Sequence, residues 1–349
     1  MRYTRSQINK SGQIIVSPMD NVLAYAEAMS MVDDWRKLHL PVLEQLVKQV
    51  SVVFSARNIP VTFTAQRLKR MPSIINKLRR TPQMGLGGVQ DIGGARFAFD
   101  NMESLLNAKA CLEQTALVDF TLDHDIYDYV AHPKASGYRS IHFVYKYHSS
   151  DNDLDGMRVE LQLRTTLQHS WATAVETAEL ISNSPIKSGQ GDEAWQNFFC
   201  LVSSIFARQE NQPVDERFKT FTNKDYCESL ARQDSEYKFW DNLQALVGLV
   251  RVVEEQEFAK GYVLLVIDYW KKEVQLRHFV SEQKDEVNQL YAQIENKMGP
   301  EQGAVVLVAV DDVNELRMAY PSYFLNAQEF LNNLDKFRKF CQTIEKNNQ

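Results

Sequence analysis

Between Met157 and Glu176 the chain reads M-R-V-E-L-Q-L-R-T-T-L-Q-H-S-W-A-T-A-V-E, and the spacing of its apolar residues changes part-way along. In the first half, alternation puts Val159, Leu161 and Leu163 on one face of a strand and Arg158, Glu160, Gln162 and Arg164 on the other. A solvated sheet face is the ordinary meaning of such alternation. The polar set here is unusual, however: one carboxylate lies between two guanidiniums with an amide beside it, where an exposed strand favours Thr, Lys and Ser. That row suits a site in which an acid works among phosphate-binding cations. Thr165 or Thr166 then N-caps a helix with Leu167, Trp171, Ala174, Val175 and Ala178 on its buried face. His169 and Glu176, seven residues apart, share another face. The junction is expected to bring Glu160, Arg164, His169 and Glu176 near one another.

A length of 349 residues allows a substantial core and favours two domains over one. The formal net charge of −6 argues against a general nucleic-acid coat, although an average hides local patches. No apolar run approaches a membrane span, and the opening Met1-Arg2-Tyr3-Thr4-Arg5 lacks the apolar core of a signal peptide. Cys111, Cys200, Cys227 and Cys341 are scattered, without a C-x-x-C pair or a histidine at ligand spacing. They read as four buried free thiols in a reducing cytoplasm, with no structural zinc.

Residues up to about Ser17 are polar and unpatterned and read as an arm or loose cap. A helix is expected from Pro18 to Leu38, and a second opening at Pro41. From Thr64 to Gln90 there are six basic residues (Arg67, Lys69, Arg70, Lys77, Arg79, Arg80) and no acidic one. Val61 to Arg67 suits a strand, and Pro72 opens a helix on which Ser73 and Lys77 share a face. Arg79 and Arg80 fit a solvated basic face, whereas Arg67, Lys69, Ser73 and Lys77 favour a polyphosphate partner. The glycines at 85, 87, 88, 93 and 94 match neither a dinucleotide-binding fingerprint nor a phosphate loop. Asp91 precedes a buried strand; it either caps a turn or holds Mg²⁺, which takes few protein carboxylates beside substrate phosphates. Arg96, inside that apolar strand, needs a partner if buried. A helix over 101–118 precedes a rigid loop from His132 to Ser140, and a strand runs from Ile141 to Tyr147 with His142 facing away from Ile141. Tyr138, flanked by Lys134 and Arg139, suits either packing or base stacking.

Four blocks, in order, resemble the synthetase domain of the RelA/SpoT family: R-L-K-R-M-P-S-I-I-N-K-L from Arg67, D-I-G-G-A-R-F from Asp91, H-P-K-A-S-G-Y-R-S-I-H from His132, and V-E-L-Q-L-R-T-T-L-Q-H-S-W-A with Glu176. The resemblance spans roughly Val22 to Glu210. It implies an α+β fold, a mixed β-sheet flanked by helices like that of nucleotidyltransferases. It also implies transfer of the β,γ-pyrophosphate of ATP to the 3′-hydroxyl of GDP or GTP, with Mg²⁺, in the cytoplasm. Carried over by position, Arg67, Lys69, Ser73, Lys77 and Arg96 resemble the ATP contacts. Asp91 resembles the metal carboxylate, and Glu160 the acid that binds metal or activates the acceptor hydroxyl. Lys134, Tyr138, Arg139, His142, Gln162 and Arg164 resemble the acceptor pocket, with Tyr138 stacking on the base.

The family loop commonly has Asn where this chain has Ser136. Toxin-type relatives that act on adenine nucleotides or on tRNA 3′ ends are therefore a rival reading, and a catalytically silent nucleotide-binding module is a third. No hydrolase-like segment precedes the synthetase blocks in this sequence. The domain reading is a synthetase domain over 18–210, a linker over 211–228 and a smaller α+β domain over 229–349. That last part is expected to hold a helix over Ser229–Glu257, strands at 262–269, 273–279 and 304–310, and helices at 282–297 and 327–346. It carries no catalytic constellation and reads as a module for regulation, sensing, homo-oligomerisation or a partner protein.

Overall fold

The computed structural model describes residues 3–17, 21–182, 192–247, 251–253, 261–268, 273–298, 302–310 and 327–347. The chain forms two compact units, one of Met1–Phe99, Glu103–Tyr127 and Ile141–Leu163, the other of Asp100–Met102, Asp128–Ser140 and Arg164–Gln349.

Strands β1 (Phe63–Leu68), β2 (Gly93–Phe99), β3 (Phe120–Leu122), β4 (Tyr127–Asp128), β5 (Ile141–Tyr147) and β6 (Arg158–Thr165) make a six-stranded sheet ordered β1-β2-β6-β5-β3, with β4 paired to β5. It is the mixed, helix-flanked α+β sheet expected from the sequence. In the first unit, helices α1 (Arg5–Val16), α2 (Val22–Ala56) and α3 (Met71–Arg80) accompany it, and α4 (Met102–Gln114) follows β2. The face bearing Phe97, Phe99 and Tyr147 packs on α2. Phe54 meets Phe97 and Phe99 edge-on at 5.3 and 5.9 Å, and the Tyr147 hydroxyl donates to Gln45 Oε1 at 2.8 Å. Such aromatic pairs add about 1 kcal/mol each beyond the area they bury.

Two expectations for the N-terminal part are corrected. The segment before Ser17 is α1, begun by a reciprocal Thr4–Gln7 capping box and anchored by the buried Ile8 and Ile15. Gly12 lets it approach closely, since a Cβ there would sit 2.7 Å from the Leu86 side chain. The two helices expected around Pro41 are one, with Pro41 inside α2. Proline costs a helix interior roughly 3 kcal/mol, and the buried row Val42, Leu43, Leu46, Val50 and Phe54 on the same helix outweighs that cost.

In the second unit, α5 (Thr166–Ser182), α6 (Glu193–Gln209), α7 (Asn223–Tyr237) and α8 (Phe239–Val247) lead into a sheet of β7 (Arg251–Val253), β8 (Gly261–Asp268), β9 (Glu273–Val280) and β10 (Gly303–Val310). Its order is β10-β8-β9-β7, and α9 (Lys284–Lys297) covers one face through Val287 and Tyr291. The helix expected over Ser229–Glu257 is replaced, among the described residues, by α7, a left-handed Lys238 (φ 56°), α8 and the strand β7; residues 248–250 and 254–257 lie outside the described ones. The final helix, α10 (Gln328–Asn347), packs on α5, α7 and α8. Its Phe330 joins Phe198, Phe199, Phe206 and Phe239 in one aromatic core. None of the helices among the described residues is long and apolar enough to cross a membrane.

The cysteine expectation is corrected as well. Cys227 on α7 and Cys341 on α10 form a disulfide, and only Cys111 and Cys200 are free. With the pair 114 residues apart in sequence, their meeting depends on the packing of α7 and α10, and spacing rules are blind to it. The bond removes the argument for a reducing compartment that rested on four thiols. Closing a loop of that length stabilises a fold by roughly 2–5 kcal/mol. Accordingly, Cys227→Ser is expected to lower the unfolding free energy by about that amount in chemical denaturation without reductant, and excess dithiothreitol should shift the wild type but not the variant.

Candidate active site

The polar face of the six-stranded sheet is fixed by register. In antiparallel pairs, opposed residues point to the same side. Arg67 opposes Gly94, and Ala65 opposes Arg96; Gln162 opposes His142, and Glu160 opposes Val144. A Cβ on Gly93 would meet Val159 and His39, on the side covered by α2. Gly94 and Arg96 therefore share the opposite face, with Glu160 and Gln162. This one surface of the first unit carries Arg67, Arg96, His142, Glu160 and Gln162. All are half-buried except His142, which is buried.

At one edge of this surface, three elements converge. The Lys69 amide donates to the Ile92 carbonyl at 2.7 Å, extending the β1–β2 ladder so that Lys69 lies beside Asp91. Arg36, buried on α2, holds the Lys69 carbonyl at 3.3 Å. Helix α3 then opens with a proline in its first turn and carries Lys77 in its last, while Ser73 lies half-buried near its start. Asp91 receives both ammonium groups, Lys69 Nζ on Oδ2 at 2.6 Å and Lys77 Nζ on Oδ1 at 2.8 Å. Burial pushes the Asp91 carboxyl up, but the two lysines outweigh it and hold the group well below the carboxylate range. Burial depresses the Lys69 ammonium, the neighbouring Lys77 and Arg67 charges add to this, and Asp91 restores only part.

Glu160 sits further along the same face. His142 Nδ1 lies 2.6 Å from Glu160 Oε1, and the Gln162 amide donates to Oε2 at 2.8 Å. Burial raises this carboxyl and the negative charge of Asp91 adds to that, but His142 and the Gln162 hydrogen bond together outweigh both and leave it at about 2. Asp91 and Glu160 thus feel one another within one unit. Arg158 completes the surface by pairing with Asp123 at 2.5 Å, an ion pair without a local sequence sign because its partners lie 35 residues apart.

The second unit holds the remaining candidates. Lys134 is exposed, with Nζ 4.2 Å from the Tyr129 ring centroid and 5.3 Å from that of Tyr138. Tyr138 is only 5% exposed, its hydroxyl accepting from Arg164 Nη2 while the Arg164 guanidinium lies 4.9 Å from its ring centroid. A base reaches that ring only where a neighbour gives way. Arg139 is buried, donating to Ser203 Oγ and to the Val130 carbonyl, both at 3.2 Å. Burial depresses its guanidinium. Thr165 immediately precedes α5, its hydroxyl accepting from the Gln168 backbone amide at 3.1 Å. On α5 itself, His169 is buried and Glu176 half-buried.

No cluster of three or more metal-ligating His, Cys, Asp or Glu groups occurs among the described residues. The donor chemistry of Asp91 and Glu160 nevertheless fits Mg²⁺, which takes hard carboxylate oxygens singly or in pairs and draws its other ligands from phosphates and water. Arginine and lysine on the same face suit those phosphates.

Residues 66–181 match the family model described as the region found in RelA / SpoT proteins. GTP pyrophosphokinase YjbM of Bacillus subtilis (strain 168) is 36% identical over 117 residues, 33% of this chain and 54% of the relative. GTP pyrophosphokinase YwaC of the same organism is 25% identical over 158 residues, 41% and 74% respectively. The chain thus spans about half the length of the first of these relatives. The crystal structure of small alarmone synthetase 1 from Bacillus subtilis bound to its product pppGpp matches with 26% identity and a TM-score of 0.44, over 51% of this chain and 93% of that one.

The Glu160 geometry carries a prediction for pH. A carboxyl lowered from 4.5 to about 2 stabilises the fold fully above 4.5 and loses that contribution as pH falls towards 2. His142→Ala removes the cation responsible. The Glu160 carboxyl, followed by carbon-detected NMR titration, is expected to move up by more than one pH unit in that variant, and the acid limb of the variant's stability curve to begin at higher pH.

Proposed function

We propose that this chain, whose residues 66–181 are a RelA/SpoT region, is an ATP-dependent pyrophosphokinase that makes a guanosine alarmone from GDP or GTP. The observation that carries the reading is the sheet face that bears Arg67, Arg96 and Glu160, with Asp91 held by Lys69 and Lys77 at its edge. Two polyphosphates repel each other strongly, and pyrophosphoryl transfer asks a protein chiefly for alignment and charge neutralisation.

In this mechanism, Lys69 and Lys77 exchange Asp91 for the ATP phosphates, while Arg67 and Arg96 flank the nucleotide. Asp91 and Glu160 are the residues that would hold Mg²⁺, which when bound neutralises charge on the phosphate chain. The acceptor 3′-oxygen forms a bond to the β-phosphorus as the bond from that phosphorus to the α,β-bridging oxygen breaks, releasing AMP. The proton of the hydroxyl passes to Glu160. A carboxyl near 2 is a weak base, so Glu160 contributes mainly by orienting the hydroxyl and takes the proton late, as the oxygen acquires its new bond. His142 and Gln162 fix its rotamer. Lys134, Tyr138 and Arg164 are assigned to the acceptor nucleotide, with Arg139 acting from beneath.

Incubation with ATP labelled in the terminal phosphate, offering GDP, GTP, AMP, ADP, ATP and tRNA in turn, tests the reading. Label is expected in guanosine products. Label confined to adenosine products or tRNA would favour the toxin-type alternative that Ser136 raises, and no transfer at all would sink the enzyme reading. Glu160→Gln keeps the shape and removes the charge; it is expected to lower kcat by roughly 10²–10⁴-fold with the ATP KM little changed.

A further inference from the structure

The loop carrying Lys134, Ser136 and Tyr138 rests on a floor that none of the four sequence blocks contains. Gly137 adopts φ +86°, and a Cβ on it would come 2.9 Å from Ser203 Cβ and 3.1 Å from Cys200 Cα, so the backbone lies directly on α6. Ser203 Oγ donates to the Gly137 carbonyl at 2.5 Å and itself accepts from Arg139 Nε. The Ala135 carbonyl, two residues earlier, is held from the segment after α6. Arg217 Nη2 donates to it at 2.9 Å, and the buried Cys200 thiol reaches it at 3.6 Å. Asp215 orients Arg217, accepting from its Nε at 2.8 Å and from its backbone amide at 3.0 Å. Burial pushes the Cys200 thiol up to about 11, so it stays a neutral, weak donor.

We infer that Arg217 is a positioning residue for acceptor binding: by fixing the Ala135 carbonyl it sets the places of Lys134 and Ser136, its neighbours on either side. This rests on the reading that residues 132–142 receive the acceptor nucleotide. The segment 211–221, a spacer by its composition, thereby becomes part of the acceptor pocket's support. The Arg217 side chain is 47% exposed and that of Asp215 15%, and a pair that is partly open to water contributes modestly to stability. Hydrogen exchange over 91–99, in the first unit, separates an effect on binding from unfolding.

The test compares Arg217→Ala with the wild-type full chain. Steady-state kinetics vary the acceptor at saturating ATP, and amide hydrogen exchange is followed over 132–140. The acceptor KM is expected to rise about tenfold, the loss of one charge-assisted hydrogen bond, with kcat and the ATP KM within about twofold of wild type. Exchange is expected to quicken over 132–140 and not over 91–99. An unaltered acceptor KM in an active enzyme overturns the inference, as does a fall in kcat alone or unchanged exchange in the loop. Should the wild type transfer to no acceptor, the functional reading falls, and the exchange comparison still decides whether Arg217 holds the loop.

Discussion

A carboxylate gripped by two ammonium groups, Asp91 between Lys69 and Lys77, organises the polar side of the first unit. Three elements meet there that share no local sequence: the end of β1, the last turn of α3 and the loop before β2. An isolated anion at that depth would cost several kcal/mol, and either lysine alone would leave one oxygen unanswered. The contact therefore fixes α3 against the β1–β2 ladder in the absence of any nucleotide. It also holds the ammonium groups together at a place where phosphates can compete for them.

Glu160 follows the same logic with different partners. The strand places it one residue pair from His142, and Gln162 on the same face occupies its second oxygen. Neither carboxylate is left to find its own rotamer. Preorganisation of this kind is what a reaction dominated by electrostatics draws on.

The sequence made the six-stranded part legible wherever periodicity was strong. The alternation from Val159 to Arg164 and the switch at Thr165 required no tertiary knowledge, and the opposed faces of β5 follow from Ile141 and His142 alone. Legibility failed where structure depends on a distant partner. Ile8 and Ile15 are too sparse to announce α1 until Leu86 and Met71 complete the cluster. Pro41 signals a helix start in isolation, and only the buried row around it keeps α2 continuous. Cys227 and Cys341 carry no local sign of each other. Arg139 looked like a nucleotide ligand by position, yet Ser203 and the Val130 carbonyl take two of its donor nitrogens. Arg217 was invisible for the complementary reason, because its target is a backbone carbonyl and leaves no side-chain pattern.

The aromatic core beneath the 132–140 loop has a temporal consequence. Phe198, Phe199 and Phe206 on α6 find their counterpart in Phe330, which lies beyond the whole four-stranded sheet in chain order. As the polypeptide emerges from the ribosome, every residue of 66–181 is already outside before that ring arrives. The platform under Gly137 is then still missing a wall, so a growing chain carries the chemical groups of the site well before it carries their seat.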